Sequence, residues 1–225
     1  MTVVGEHGEQ RAARGGDGDV SREGDAISQW AAHLAAQDTV EVGQVLPPHF
    51  PDCAGCGPSN PAGLHLRAVR TVEGVEAVHR FSDAQVGAPG IAHGGAVALA
   101  FDDLFGFVLY TVGSLAVTRS LTIEYRAPFR LHRPYTFCAH VARREGRRLV
   151  LHADAWDGTG ERAGSADATF VVVGPEHFED DGGRGRSPDA AEAVFPGARS
   201  AADRSSEAWT GPGEAPPGRG HGGIL

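Results

Sequence analysis

The sequence predicts an α+β domain: an antiparallel sheet of about six strands wrapped around one long central helix. Two observations carry that expectation. From Ala96 to Val112 nearly every residue is apolar, so a helix there is hydrophobic on almost all sides and must be buried. Around it lie segments of period-two hydrophobicity joined by short turns, which give antiparallel neighbours. A sheet that packs on such a helix has to enclose it.

Composition sets the limits of the domain. Residues 1–25 and 175–225 are rich in Gly, Arg, Asp, Glu, Ser and Pro, with few large apolar side chains, and read as disordered tails. Residues 26–45 read as a short helical segment and linker, with Ile27, Trp30 and Leu34 at helical spacing. Residues 46–174 form the folded domain. A formal net charge of −9 argues against a nucleic-acid partner. The chain contains no lysine, which excludes Schiff-base chemistry on lysine. The central segment is short for a membrane span and carries two acids, so no membrane partner is expected. With no apolar leader and an odd number of cysteines, three, the expected location is the cytoplasm.

In order, Pro47-Pro48 and the Pro/Gly-rich run Pro51–Leu64 are loop. Leu64, Leu66, Val69 and Val72 lead through Glu73-Gly74 to Val75, Ala77 and Phe81, a hairpin. Pro89-Gly90 is a turn, and Gly94-Gly95 opens the central helix. After it come a strand over Leu115–Tyr125, with Val117, Leu121, Ile123 and Tyr125 on one face, a hairpin of Tyr135–Arg143 and Arg148–Trp156, and a last strand over Ala163–Val173.

The central helix also carries the chemistry. Its first N–H groups have no intrahelical partner, and its dipole favours negative charge there. Glycine allows a substrate carbonyl close to the backbone, so Gly94, with Gly95 next, is the candidate oxyanion donor. Asp102 lies two and a half turns further on, a buried-helix acid that needs an employment. Asp103 points about 100° away and is expected to face solvent or pair with an arginine. His93, just before the helix, is expected to orient substrate or support the loop. Cys53-x-x-Cys56 could be redox-active or bind zinc, but no second Cys pair exists, and His49 and His65 offer an irregular set. Small side chains packed in a tight loop, with no metal and no cofactor, is the expectation.

These residues resemble a family. Gly90-Ile-Ala-His93-Gly94-Gly95 with an acid nine residues after the histidine is similar to the PaaI-like hotdog-fold acyl-CoA thioesterases. So are Cys53-Ala-Gly-Cys56-Gly57, Asn60-Pro61-x-Gly63-Leu64 and Leu121–Pro128, and the likeness spans about residues 46–174. It leans toward the subgroup that includes thioesterase superfamily member 4. There the acid is catalytic and a threonine sixteen residues later assists it; Thr118 stands at that offset from Asp102. The asparagine used by phenylacetate-pathway members has no counterpart here. The resemblance implies an acyl-CoA or acyl-carrier substrate and a homodimer or dimer of dimers with the site at the subunit interface. Arg126, Arg130 and Arg133 are candidates for the phosphates of coenzyme A. Two rivals stay open: a hotdog dehydratase or hydratase, and a non-catalytic acyl-binding module.

Overall fold

The computed structural model describes residues 20–36 and 40–178, without the side chains of 20–26. The expected tails lie mostly outside these residues. Their inner ends differ from expectation, because helix α1 already begins at Val20 and runs to Ala35, and Pro175–Phe178 forms a 3-10 turn. α1 is also more than a linker. Leu34 is completely buried in the core, and the Trp30 ring packs on His49 and Phe50.

Strands β1 (Ala68–Arg70) and β2 (Val75–Arg80) make the expected hairpin. Two short strands, β3 (Val86–Ala88) and β4 (Ile91–Ala92), pair about the Pro89-Gly90 turn, where Gly90 takes the left-handed conformation at φ 74°. The central helix α2 spans Gly94–Val112 and stops at Gly113, whose φ of 70° suits a glycine C-cap. There follow β5 (Ala116–Tyr125), β6 (Pro134–Glu145), β7 (Arg148–Asp157) and β8 (Arg162–Val172).

Six strands form one antiparallel sheet in the order β1-β2-β6-β7-β8-β5. Phe101, Leu104, Phe105, Val108 and Leu109 of α2 are fully buried in the same core as Phe137, Leu149, Leu151 and Phe170 of the sheet. This is the hotdog arrangement. By length and mean hydropathy (1.6) α2 alone would suffice to cross a bilayer, but its burial within the sheet's core accounts for that composition.

The two sheet edges differ. Residues 43–46 cover the β1 edge, with Leu46 N–H donating to Ala68 O at 2.9 Å and Arg70 N–H to Gln44 O at 2.9 Å. Along the ten residues of β5, the only strand partner among the described residues is β8. A long open edge is a template for another chain.

β5 also corrects one sequence expectation. Its register against β8 shifts between Thr118 and Ser120, so that Thr118 opposes Phe170 while Ser120 opposes Thr169. This bulge puts Val117 on the face opposite Leu121, Ile123 and Tyr125. It has a consequence for α2. Thr118 and Tyr125 are seven residues apart and would point to opposite faces of an unbroken strand. With the bulge between them, both reach α2.

Candidate active site

The glycine end of α2 is built by its cap. His93 has extended backbone, and its Nδ1 accepts the Gly95 N–H at 2.9 Å. The imidazole therefore consumes the second candidate oxyanion donor and fixes the first turn. Gly94 N–H has no acceptor among the described residues and is exposed. Tyr125 Oη donates to Gly94 O at 2.8 Å, tying the end of β5 to the helix start. Partial burial raises the Tyr125 phenol above its ordinary value, so it stays a donor. Gly94, Tyr125 and Arg126, with Ile91, Val97 and Phe129, line an open cleft of about 410 Å³. Tyr125 was missed at the sequence level, where it read only as an apolar strand residue.

A little over two turns along α2, Asp102 is half-buried, and Thr118 Oγ1 donates to its Oδ1 at 2.9 Å. Burial raises the Asp102 carboxyl above its ordinary value, and the Thr118 hydroxyl pulls it partly back. Both residues line a second cleft of about 290 Å³ with Trp30, Phe50, Leu109 and Val117, and His49, Cys53 and Asp103 border the same cleft. The structure thus brings Asp102 and Thr118 together, and His93, Gly94 and Gly95 together, but not the two groups with each other. Eight residues of helix separate Gly94 from Asp102, about 12 Å along the axis.

The three arginines are exposed. Arg126 pairs with Glu124 at 2.8 Å, and holds that carboxyl below its ordinary value. Arg130 and Arg133 stand in the loop between β5 and β6.

Asp103 departs most from expectation. It neither faces solvent nor meets an arginine. Its side chain is 5 % exposed, and its Oδ1 lies 3.1 Å from His49 Nδ1 and 3.3 Å from Cys53 Sγ. Cys56 Sγ in turn lies 3.2 Å from His49 Nδ1 and accepts the His49 N–H at 3.3 Å. His65 stays outside this cluster, with its Nδ1 3.0 Å from Gly57 O. The loop and the helix fit closely at two glycines. A Cβ on Gly55 would collide with the Asp103 side chain, and one on Gly106 would come within 2.6 Å of the His49 ring. Burial opposes a charge on His49, but Asp103 and Cys53 outweigh it and raise the imidazole to about 9. The Cys53 thiol is lowered by the Cys56 thiol first, then by His49 and the N–H groups of Cys56 and Gly55. Sequence reading found His49, Cys53 and Cys56. It missed Asp103 as their partner, because only the packing of the 49–56 loop on α2 joins them.

Comparison with known proteins agrees with the fold. The family model described as the thioesterase superfamily matches residues 89–163, from the turn before α2 into the start of β8. A thioesterase superfamily protein of known structure superposes with a TM-score of 0.52 at 20 % identity, over 71 % of this chain and 81 % of its own. A hypothetical thioesterase from Streptococcus pneumoniae TIGR4, solved with coenzyme A, gives 0.46 at 22 % identity over 48 % and 86 %. The PaaI protein of the E. coli phenylacetic acid degradation operon gives 0.47 at 17 % over 49 % and 81 %. No curated protein matches the chain.

Proposed function

We propose that the protein is a thioester hydrolase acting on an acyl-CoA or acyl-carrier thioester, of the kind found with thioesterase superfamily member 4. The observation that carries this reading is the 2.9 Å Thr118–Asp102 pair in an open cleft of a hotdog chain, within a segment that matches the thioesterase superfamily. Asp102 supplies the base or nucleophile, Thr118 orients it, and the Gly94 N–H receives the developing oxyanion. His93 acts through the helix cap. Water adds to the carbonyl, the C–S bond breaks, and the thiol leaves with a proton. If Asp102 attacks directly, an anhydride forms first and water resolves it. Arg126, Arg130 and Arg133 are proposed to meet the carrier's phosphates.

The 12 Å between Gly94 and Asp102 bears on assembly. One carbonyl cannot touch both groups of one helix, so the complete site needs Gly94 of one chain and Asp102 of another. The open β5 edge suits that association, as a homodimer or a dimer of dimers. We place the enzyme in the cytoplasm, in keeping with three free cysteines.

Hydrolysis of a panel of acyl-CoAs of different chain length, aryl-CoAs and acyl-carrier thioesters, with released thiol detected, tests this. Thiol release that Asp102→Asn abolishes supports it. Water addition to an enoyl-CoA without thiol release indicates the hydratase, and acyl binding without turnover the binding module.

A further inference from the structure

We infer that His49, Cys53, Cys56 and Asp103 form a structural zinc site that staples the 49–56 loop to α2. It reverses the expectation, drawn from the sequence, of a metal-free loop. The first ground is geometric. One ligand atom from each residue, His49 Nδ1, Cys53 Sγ, Cys56 Sγ and an Asp103 oxygen, lies within 4.8 Å of all the others. Zinc held tetrahedrally at its usual bond lengths to S, N and O separates its ligand atoms by about 3.3–3.8 Å. Three of the distances between the four atoms are 3.1, 3.2 and 3.3 Å, close to the edges of such a tetrahedron.

The second ground is hydrogen-bond accounting. His49 Nδ1 faces both Asp103 Oδ1 and Cys56 Sγ, and one ring nitrogen carries at most one proton. The side chains of His49 and Asp103 are 8 % and 5 % exposed, and Asp103 Oδ2 has no partner among the described residues. A buried acceptor left in that state is costly. A cation at the common point satisfies His49 Nδ1, both sulfurs and the carboxylate together. Binding releases the Cys53 and Cys56 thiol protons and the His49 Nδ1 proton to solvent, and the neutral imidazole keeps its proton on Nε2. Two thiolates, one carboxylate and Zn²⁺ leave a net charge of −1 in the bound site.

The donor set selects the metal. Two thiolates and an imidazole suit zinc and not calcium or magnesium, which take oxygen ligands. The loop also turns a donor toward one of the sulfurs, with the His49 N–H donating to Cys56 Sγ at 3.3 Å. Four protein ligands leave no open position, which marks a structural site. Asp103 thereby gains a role as ligand while its neighbour Asp102 remains free for substrate. The inference is independent of the proposed hydrolysis, and its test reads metal and spectrum, never turnover.

The experiment uses the full chain, purified without chelator and with any affinity tag removed. Elemental analysis is expected to find about one zinc per chain. Replacement by Co²⁺ is expected to give sulfur-to-cobalt charge transfer and the intense visible bands of a tetrahedral site. Cys56→Ser and Asp103→Asn should lose bound zinc at least tenfold, and Cys138→Ala, outside the cluster, should keep it. Should the ligand variants fail to fold, the cobalt spectrum of the unaltered chain decides. Zinc below about a tenth per chain together with no thiolate charge transfer overturns the inference. So does a Cys53–Cys56 disulfide in protein kept under reducing conditions.

Discussion

Compared with the face of α2 that carries Asp103, the face one residue away that carries Asp102 is open. Asp102 looks into a cleft and takes one hydrogen bond, from a hydroxyl on an edge strand. Asp103 borders the same cleft but is almost covered by the 49–56 loop, and it meets an imidazole and a thiol. Two like residues, about 100° apart on one helix, have thus been given different work by what packs on each side. An acid that must act on a substrate needs solvent access and few partners. An acid that must hold a loop needs burial and several.

The largest expected effect falls on the open face. Asp102→Asn keeps size and most hydrogen bonding but removes the base, so kcat should fall by about 10²–10⁴. The melting temperature should stay near that of the parent. A variant that keeps full activity would strip Asp102 of its proposed role. On the enclosed face, Asp103→Ala leaves buried His49 and the two thiols without the carboxylate. It should cost about 3 kcal/mol or more in denaturant unfolding. Loss of activity in Asp103→Ala at unchanged stability would show that the two faces have been assigned the wrong way round.

The contrast also explains what was readable from the sequence. The all-round apolar run from Ala96 fixed α2 as a buried element, and period-two patterning marked the strands, since both signals are local. The Asp102–Thr118 offset came from a family resemblance, and the bulge after Thr118 that makes the contact possible leaves no trace in hydropathy. Asp103 could not be read, because its partners lie in a Pro/Gly-rich loop whose path depends on Gly55 and Gly106 meeting other residues closely. Tyr125 was hidden for a related reason, as its target is a backbone carbonyl, which no sequence motif advertises.

The third prediction moves to the glycine end. An alanine Cβ at position 94 would come no closer than 3.5 Å to any neighbour, the nearest being Tyr125 Oη, so Gly94→Ala should fold normally. The methyl would instead stand beside the N–H proposed to receive the oxyanion, and kcat/KM should drop at least about tenfold. Combining this variant with Asp102→Asn in one assembly sharpens the comparison. If the site draws Gly94 and Asp102 from different chains, a mixed dimer regains one intact site. Random mixing should then restore about a quarter of parental activity. Mixtures no more active than their components would mean that each chain works alone.

Thr118 should show the smallest effect. Its hydroxyl donates to Asp102 Oδ1 from an exposed position on β5, so it orients the carboxylate and performs no proton transfer itself. Removing one such hydrogen bond at an accessible site is worth about 1 kcal/mol, or a rate factor of roughly five to ten. Thr118→Ala is therefore expected to lower kcat by that factor and to leave KM nearly unchanged, because the acyl chain and the carrier do not depend on the hydroxyl. Thr118→Ser keeps Oγ on the same backbone and should recover most of the loss, whereas Thr118→Val keeps the shape without the donor and should not. The bulge sets the limit of that rescue. If serine fails where threonine works, the hydroxyl's rotamer depends on the methyl packing in the bulged strand, and Thr118 would act through the geometry of β5 as well as through its hydrogen bond.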